Sequence, residues 1–290
     1  MTDISITGHT KLTGLLGSPV AHSMSPLMHN EAFRALKLDY VYLCFEVGEE
    51  MLSTAVNGLK AAGIRGFNLT MPNKNKIMEL MDRLSPAAEL IGAANTVVND
   101  NGILTGYNTD GIGFMQSVRD AGHNITGDTM TLLGAGGAAT AIAAQAALDG
   151  LREIRIFARP TSRFYKRIQA LTDKINQITD CRAILCDNAD QKALKDSLDS
   201  STILVNATSV GMHPDTSKSL ITDPAYFHRG MIVSDIIYEP RKTRLLSLAE
   251  SAGCQTLNGL YMLLYQGAEA FRLFTGHDMP VSLIKQKYFQ

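Results

Sequence analysis

Two kinds of hydrophobic pattern alternate along the whole chain. Short apolar runs of strand length are followed by longer stretches in which apolar residues recur every three or four positions. "KLTGLLGSP", from Lys11, reads as a strand, and "SPLMHNEAFRALK" as a helix with Ser25 at its cap and Pro26 at its first position. "YVYLCFEV" is a strand, and "EEMLSTAVNGLKAAG" an amphipathic helix that stops at Gly63. "GFNLTMP" is a strand closed by Pro72, and "NTVVNDNGILTGYNTD" a hairpin turning between Asn99 and Gly102. The first part is thus a βαβ-type layer ending near Asp110.

A second series begins at "DTMTLLGAGGAATAIAAQAAL", where an apolar strand runs through glycines into an alanine-rich helix. Four more strands are predicted: "EIRIFA", "RAILCD", "STILVNAT" and "GMIVSDIIY". Their continuous apolar character suits a parallel sheet covered on both faces. Beyond Pro240 the pattern turns helical, and "GLYMLLYQGAEAFRLF" is expected to pack back on the first domain. The expected architecture is α/β, with two domains on either side of a cleft.

Composition narrows the function. At 290 residues the chain is long for one core, and 45% hydrophobic with 19% charged residues is ordinary for a globular enzyme. A net charge of −1 offers no polycation for nucleic acid or an anionic membrane. "MTDISITGHTKL" lacks a basic region before an apolar core, and "AAQAALDGL" is too short to span a bilayer, so a cytoplasmic protein is expected. Cys44, Cys181, Cys186 and Cys254 form no CxxC and read as buried, reduced thiols. The histidines have no metal-ligand spacing, and no metal is expected.

Candidate chemistry sits in two places. In "LLGAGGAATA", Gly134, Gly136 and Gly137 join a strand to a helix. A helix start offers free N–H groups and partial positive charge, and glycines let a pyrophosphate approach, so a Rossmann dinucleotide site is expected. The next strand ends in "ARPTSR". An acid that would hold an NAD ribose is missing at Ala158, whereas Arg159 and Arg163 suit a 2′-phosphate, so NADP is expected ahead of NAD. A solvated basic loop is the plainer alternative.

The second place is Lys74, in "NLTMPNKNKI". Most lysines are surface charges. Around it in sequence stand Ser23 and Ser25 in "HSMSP", Asn68 and Thr70 on one face of a strand, Asn95 in "GAANT", Asp110 in "YNTDG" and Gln266 in "YMLLYQGA". Each alone suits a structural role. Together, hydroxyls, amides, an acid and an amine suit a small polyhydroxylated acid.

These segments, with "GSPVAHSMSPLMHN", "GFNLTMPNK", "GAANTVV", "GYNTDG", "LLGAGGAA", "NATSVGM" and "LYMLLYQGAEAF" in order over nearly the full length, resemble the shikimate dehydrogenase family, including its quinate/shikimate branch. The resemblance implies a substrate domain at 1–110, completed by C-terminal helices within 255–290, and a Rossmann NAD(P)-binding domain at 111–254. It implies reversible NAD(P)-linked reduction of 3-dehydroshikimate to shikimate, or of 3-dehydroquinate to quinate, in aromatic amino acid biosynthesis. It makes Lys74 and Asp110 the catalytic pair, and Ser23, Ser25, Thr70, Asn95, Tyr238 and Gln266 the substrate contacts. Cofactor contacts would be Gly134, Gly136, Gly137, Ala138, Arg159, Arg163, Thr208, Ser209, Gly259 and Met262. Two departures stand out: Ala158 and Pro160 within the arginine loop, and Tyr261 where the family commonly has glycine. A ligand-sensing homologue without turnover, or a dehydrogenase of another small acid, are the alternatives. The oligomeric state is not set by the sequence, and a homodimer is one arrangement it allows.

Overall fold

The computed structural model of the chain describes residues 6–289. The first five residues, which carry part of the expectation that there is no signal peptide, lie outside them. The chain divides into two units: residues up to Thr109 together with those from Leu264 on, and Asp110–Leu263.

In the first unit the predicted strand forms as β1 (Lys11–Gly17), followed by α1 (Ser25–Ala35), β2 (Tyr40–Glu46), α2 (Glu49–Ala61) and β3 (Gly66–Leu69). The segment after Pro72, which has no clear periodicity, folds into a 3₁₀ turn at Lys76–Leu80, β4 (Arg83–Leu84) and α3 (Pro86–Ile91). The Ser85 hydroxyl accepts from the Ala88 N–H to start α3. The hairpin forms as β5 (Thr96–Asp100) and β6 (Ile103–Tyr107), with Asn101 and Gly102 at φ of 53° and 90°. Two left-handed central residues match the twist of the flanking strands. The six strands lie in the order β2-β1-β3-β5-β6-β4. β1 runs parallel to β2 and β3, and β5 antiparallel to β3 and β6, so the layer is a mixed sheet rather than a plain βαβ layer.

The start of α1 differs from expectation. Its cap position is Met24, and Ser25 is already helical. The Ser23 hydroxyl accepts from the Ser25 N–H at 3.2 Å. Pro26 brings no N–H, so the donor that needs an acceptor is that of Ser25, and the serine two residues upstream supplies it.

The second unit opens with α4 (Asp110–Asp120) and continues with β7 (Thr129–Leu133), α5 (Gly137–Leu148), β8 (Glu153–Ala158), α6 (Tyr165–Ile178), β9 (Arg182–Asp187), α7 (Gln191–Ser200), β10 (Ile203–Asn206), β11 (Ile232–Asp235), α8 (Arg244–Ser251) and β12 (Gln255–Asn258). The sheet is all-parallel in the order β12-β11-β10-β7-β8-β9, the doubly wound arrangement with its switch point between β7 and β10. Strand β12 adds a fifth strand to the four expected after β7. It has no fully buried residue, so it lacks the continuous apolar run that betrays the others. Leu133, Phe157, Leu204, Val233 and Leu246 share one core with α7 and α8.

Two helices close the chain: α9 (Leu260–Thr275) and α10 (Val281–Tyr288). From Leu264 on they belong to the first unit. Phe271 stacks on Phe33 at 5.1 Å between ring centroids, and Arg65 donates to the carbonyl of Phe274. Among the described residues no helix is long and apolar enough to cross a membrane, and no group of His, Cys, Asp and Glu side chains is placed to hold a metal. All four thiols are free, but only Cys181 and Cys254 are buried; Cys44 and Cys186 are half-buried.

Candidate active site

In the second unit the glycine loop lies at the carboxyl end of β7. Gly134 has φ +126°, and a Cβ there would stand 2.7 Å from the Ala207 carbonyl oxygen, so only glycine lets the loops after β7 and β10 meet. Gly136 is the cap residue of α5 and supplies no side-chain acceptor. Nothing lies within 4 Å of where a Cβ on Gly136 or Gly137 would be. The start of α5 is therefore uncrowded on its glycine side, as a close-approaching diphosphate requires. Ala138 is half-buried in the same turn.

A cavity of about 510 Å³ opens over this corner. Gly134 and Gly136 form one side, Arg159, Ser162 and Phe164 after β8 a second, and Thr208 and Ser209 after β10 a third. Asn188 and Gln191, which the sequence reading passed over, complete it after β9. Their only sequence signal is that they are amides just beyond a strand. The two arginines part company. Arg159 is on the wall, whereas the Arg163 guanidinium lies 4.6 Å over the Phe164 ring and is not among the wall residues. Buried Ala158 leaves no carboxylate at the end of β8. Size, open backbone donors and one arginine fit a dinucleotide with a phosphorylated ribose.

Gly259 and Met262 are not in this wall. Gly259 is demanded by packing: a Cβ there would fall 1.8 Å from the Ile236 carbonyl oxygen. Tyr238 and Tyr261 are exposed, at 46% and 37%. Asp110 is the first residue of α4, where an acid also suits the positive end of a helix.

In the first unit, Ser23 and Ser25 follow β1, Thr70 and Lys74 follow β3, and Asn95 precedes antiparallel β5. Parallel pairing of β1 with β3, and the Asn68–Thr96 register between β3 and β5, bring all five to one end of the sheet. Gln266 lies half-buried on α9.

The turn that carries Lys74 is pinned on both sides. The Asn73 amide donates to the Val47 carbonyl at 2.7 Å, and the Asn75 amide to the Gly92 carbonyl at 2.8 Å. Between them the Lys74 carbonyl accepts from the Ala94 N–H at 2.9 Å. Lys74 is thus half-buried on a backbone fixed at three points. The two asparagines are what the sequence motif "NKN" contributes, and sequence reasoning missed their part.

Beneath this end runs a buried polar chain. The Ser25 hydroxyl bonds Tyr42, whose hydroxyl donates to the Asn68 carbonyl oxygen at 2.8 Å. The Asn68 amide donates to the Thr96 hydroxyl at 2.9 Å, and Thr96 donates to Asn95 at 3.0 Å. Asn95, only 2% exposed, also accepts from the Thr109 N–H. Burial pushes the Tyr42 hydroxyl far above its ordinary range, so it stays a donor.

Comparison with known proteins agrees with this geometry. Residues 15–97 match the model of the shikimate dehydrogenase substrate binding domain, and residues 259–287 that of the shikimate 5'-dehydrogenase C-terminal domain. The chain is 54% identical to shikimate dehydrogenase (NADP(+)) of Listeria monocytogenes, over 98% of this chain and 97% of that protein. It is 51% identical to the enzyme of the same name from Streptococcus pyogenes, over 97% of both. The crystal structure of shikimate 5-dehydrogenase from Listeria monocytogenes in complex with shikimate and NAD superposes with a TM-score of 0.95 at 54% identity, covering 97% of each chain. The two six-stranded sheets and glycine loop of this chain, with 54% identity over nearly its full length, lead to one assignment: the chain belongs to the shikimate dehydrogenase family, a family of oxidoreductases.

Proposed function

We propose that the protein catalyses the reversible NADP-linked reduction of 3-dehydroshikimate to shikimate in aromatic amino acid biosynthesis, with Lys74 and Asp110 as its acid–base pair. The observation that carries the reading is the pinned Lys74 turn at the same sheet end as Ser23, Ser25, Thr70 and Asn95. The domain reading follows: residues 1–110 with the C-terminal helices take the substrate, and 111–254 the cofactor.

Bound at the Gly134–Ala138 loop, the nicotinamide cofactor supplies the hydride. The residues of this chain do the rest. The diphosphate is held by the first N–H groups of α5, and the adenosine ribose phosphate by Arg159. Thr208 and Ser209 line the cofactor, with Gly259 and Met262 toward its nicotinamide end. Hydroxyls and amides of Ser23, Ser25, Thr70, Asn95, Tyr238 and Gln266 bind the ring substituents and carboxylate of the substrate. Reduction builds negative charge on the ketone oxygen, and the Lys74 ammonium stabilises it and delivers a proton. The Asp110 carboxylate holds and orients that ammonium. Oxidation reverses the proton's path.

Shikimate is the better substrate in this reading and quinate a weaker one, with NAD accepted below NADP. Absorbance of reduced cofactor, followed with shikimate and quinate, each with NAD+ and NADP+, tests all of it. Turnover highest with shikimate and NADP+ is expected. Arg159→Ala then raises the KM for NADP+ about tenfold or more, the worth of a charge-assisted contact, and leaves NAD+ nearly unchanged. Arg163→Ala has the smaller effect, because its guanidinium rests on Phe164. Equal losses for both cofactors would sink the phosphate contact, and no turnover with any pair would leave a ligand-sensing homologue.

A further inference from the structure

Asp235 ends β11 fully buried, with no exposed surface. Among the described residues no lysine, arginine or histidine forms an ion pair with it; its contacts are neutral donors. One carboxylate oxygen accepts from the Asn206 amide at 3.0 Å and from the Ile237 N–H at 3.1 Å. The other accepts from the Thr243 hydroxyl at 2.7 Å. Burial raises this carboxyl, against the three hydrogen bonds that lower it. A buried acid without a cation is costly, so a chain that only needed a filled core would do better with an apolar residue.

The contacts show what the acid arranges. Asn206 ends β10, the neighbour of β11. With its amide nitrogen held by Asp235, its carbonyl oxygen points the other way and accepts from both the N–H and the hydroxyl of Thr208, at 3.1 and 2.7 Å. The same amide nitrogen donates to the Val210 carbonyl at 3.3 Å. An asparagine amide has two near-equal faces, and fixed partners settle which way round it sits: Asp235 and the Val210 carbonyl on the nitrogen side, the Thr208 N–H on the oxygen side. Thr208 and Val210 are on the wall of the 510 Å³ cavity. Asp235 and Asn206 are not.

We propose that Asp235 is a positioning residue for the dinucleotide: through Asn206 it sets the orientation of the loop Ala207–Val210 that closes the cofactor cavity after β10. The proposal rests on the reading of that cavity as the dinucleotide site. Thr243, which caps α8 and lies away from the wall, holds the far oxygen of the acid and so belongs to the same device.

The test is the dissociation constant of NADPH, read by nicotinamide fluorescence in a protein without tryptophan, beside the thermal midpoint of each variant. Asp235→Leu removes the acceptors that Asn206, Ile237 and Thr243 use, and a rise in Kd of about tenfold, one charge-assisted hydrogen bond's worth, is expected. Thr208→Val weakens NADPH as well. The double variant then binds about as poorly as the weaker single one, because both act on one loop; independent effects would multiply. Should Asp235→Leu fail to fold, Thr243→Val raises the Kd and Thr243→Ser, which keeps the hydroxyl, restores it. A purely structural acid lowers the thermal midpoint and leaves the Kd of the folded protein unchanged, and that result overturns the proposal. Multiplying effects in the double variant overturn it too. NADPH binding that ignores Thr208→Val, or is absent from the wild type, removes the cavity reading and this proposal with it.

Discussion

At the scale of single residues, placement separates Lys74 from an ordinary surface lysine. Asn73, Asn75 and Ala94 fix its backbone, so its side chain starts from a set point at this end of the sheet. Lys74→Ala should lower turnover by about 10²- to 10⁴-fold, the usual worth of general acid–base help, while the KM for shikimate changes little. Near-normal turnover in a folded variant would remove Lys74 from the chemistry. His29 is the opposite case: fully buried, stacked on Tyr42 at 4.4 Å, with neither ring nitrogen hydrogen-bonded among the described residues. Burial lowers its pKa to about 3, from 6.5. Below pH 6.5 the unfolded chain takes up a proton that the folded chain refuses. Stability then falls by about 1.4 kcal/mol for each pH unit until the folded imidazole also titrates. His29→Phe should flatten the denaturant midpoint between pH 6.5 and 4. Parallel pH curves for the two proteins would show that this histidine is not the acid-sensitive group.

At the scale of elements, the turn from β7 into α5 combines two demands that different glycines meet. Gly134 carries the left-handed backbone and the close approach to Ala207, whereas Gly136 and Gly137 keep space open. Gly134→Ala should therefore cost about 1–3 kcal/mol of stability, the range for a side chain forced into that region. Gly136, at φ −76°, accepts a methyl group without strain. Gly136→Ala should leave the thermal midpoint unchanged and raise the KM for NADP+. A variant that loses stability with unchanged cofactor affinity would assign Gly136 to the fold alone. Elements also show what a sequence pattern carries. The inner strands β7, β10 and β11 were legible because burial on both faces leaves continuous apolar runs, and edge strand β9 because it keeps an apolar Ala183–Cys186 run. β12, an edge strand with half-exposed side chains, was not, and neither was β4, two residues long.

At the scale of the molecule, the first unit is built from two distant pieces of chain. Arg65 spans them, donating to the carbonyls of Phe274 and Leu273 on one side and of Asn99 on the other. Lys287 and Tyr288 of α10 both reach Glu31 on α1. A chain ending at Leu263 would expose Phe33, which Phe271 covers, and leave buried Glu31 without Lys287. Such a truncation should lose hydrogen-exchange protection through residues 6–109 while β7 to β12 keep theirs. Retained protection in β1 and β3 would show that the N-terminal piece folds without its C-terminal helices.

What the sequence determined by itself is local: strand and helix periods, the Asn-Gly hairpin turn, the glycine loop, and the amine, amides and hydroxyls of a candidate site. Each of these is written in a few neighbouring residues, because backbone sterics and burial act over one or two turns of chain. The tertiary structure decided what depends on partners far apart. It turned Arg163 onto Phe164 and left Arg159 on the cavity wall. It moved the cap of α1 to Met24 with Ser23 as its acceptor. It buried Asp235 against Asn206 and Thr243, and Asn95 against Thr109. A hydrogen bond has direction and a partner, and the partner of a polar side chain is chosen by packing. Apolar periodicity in the sequence carries the burial of a strand, but it does not carry which donor a buried carboxylate will meet.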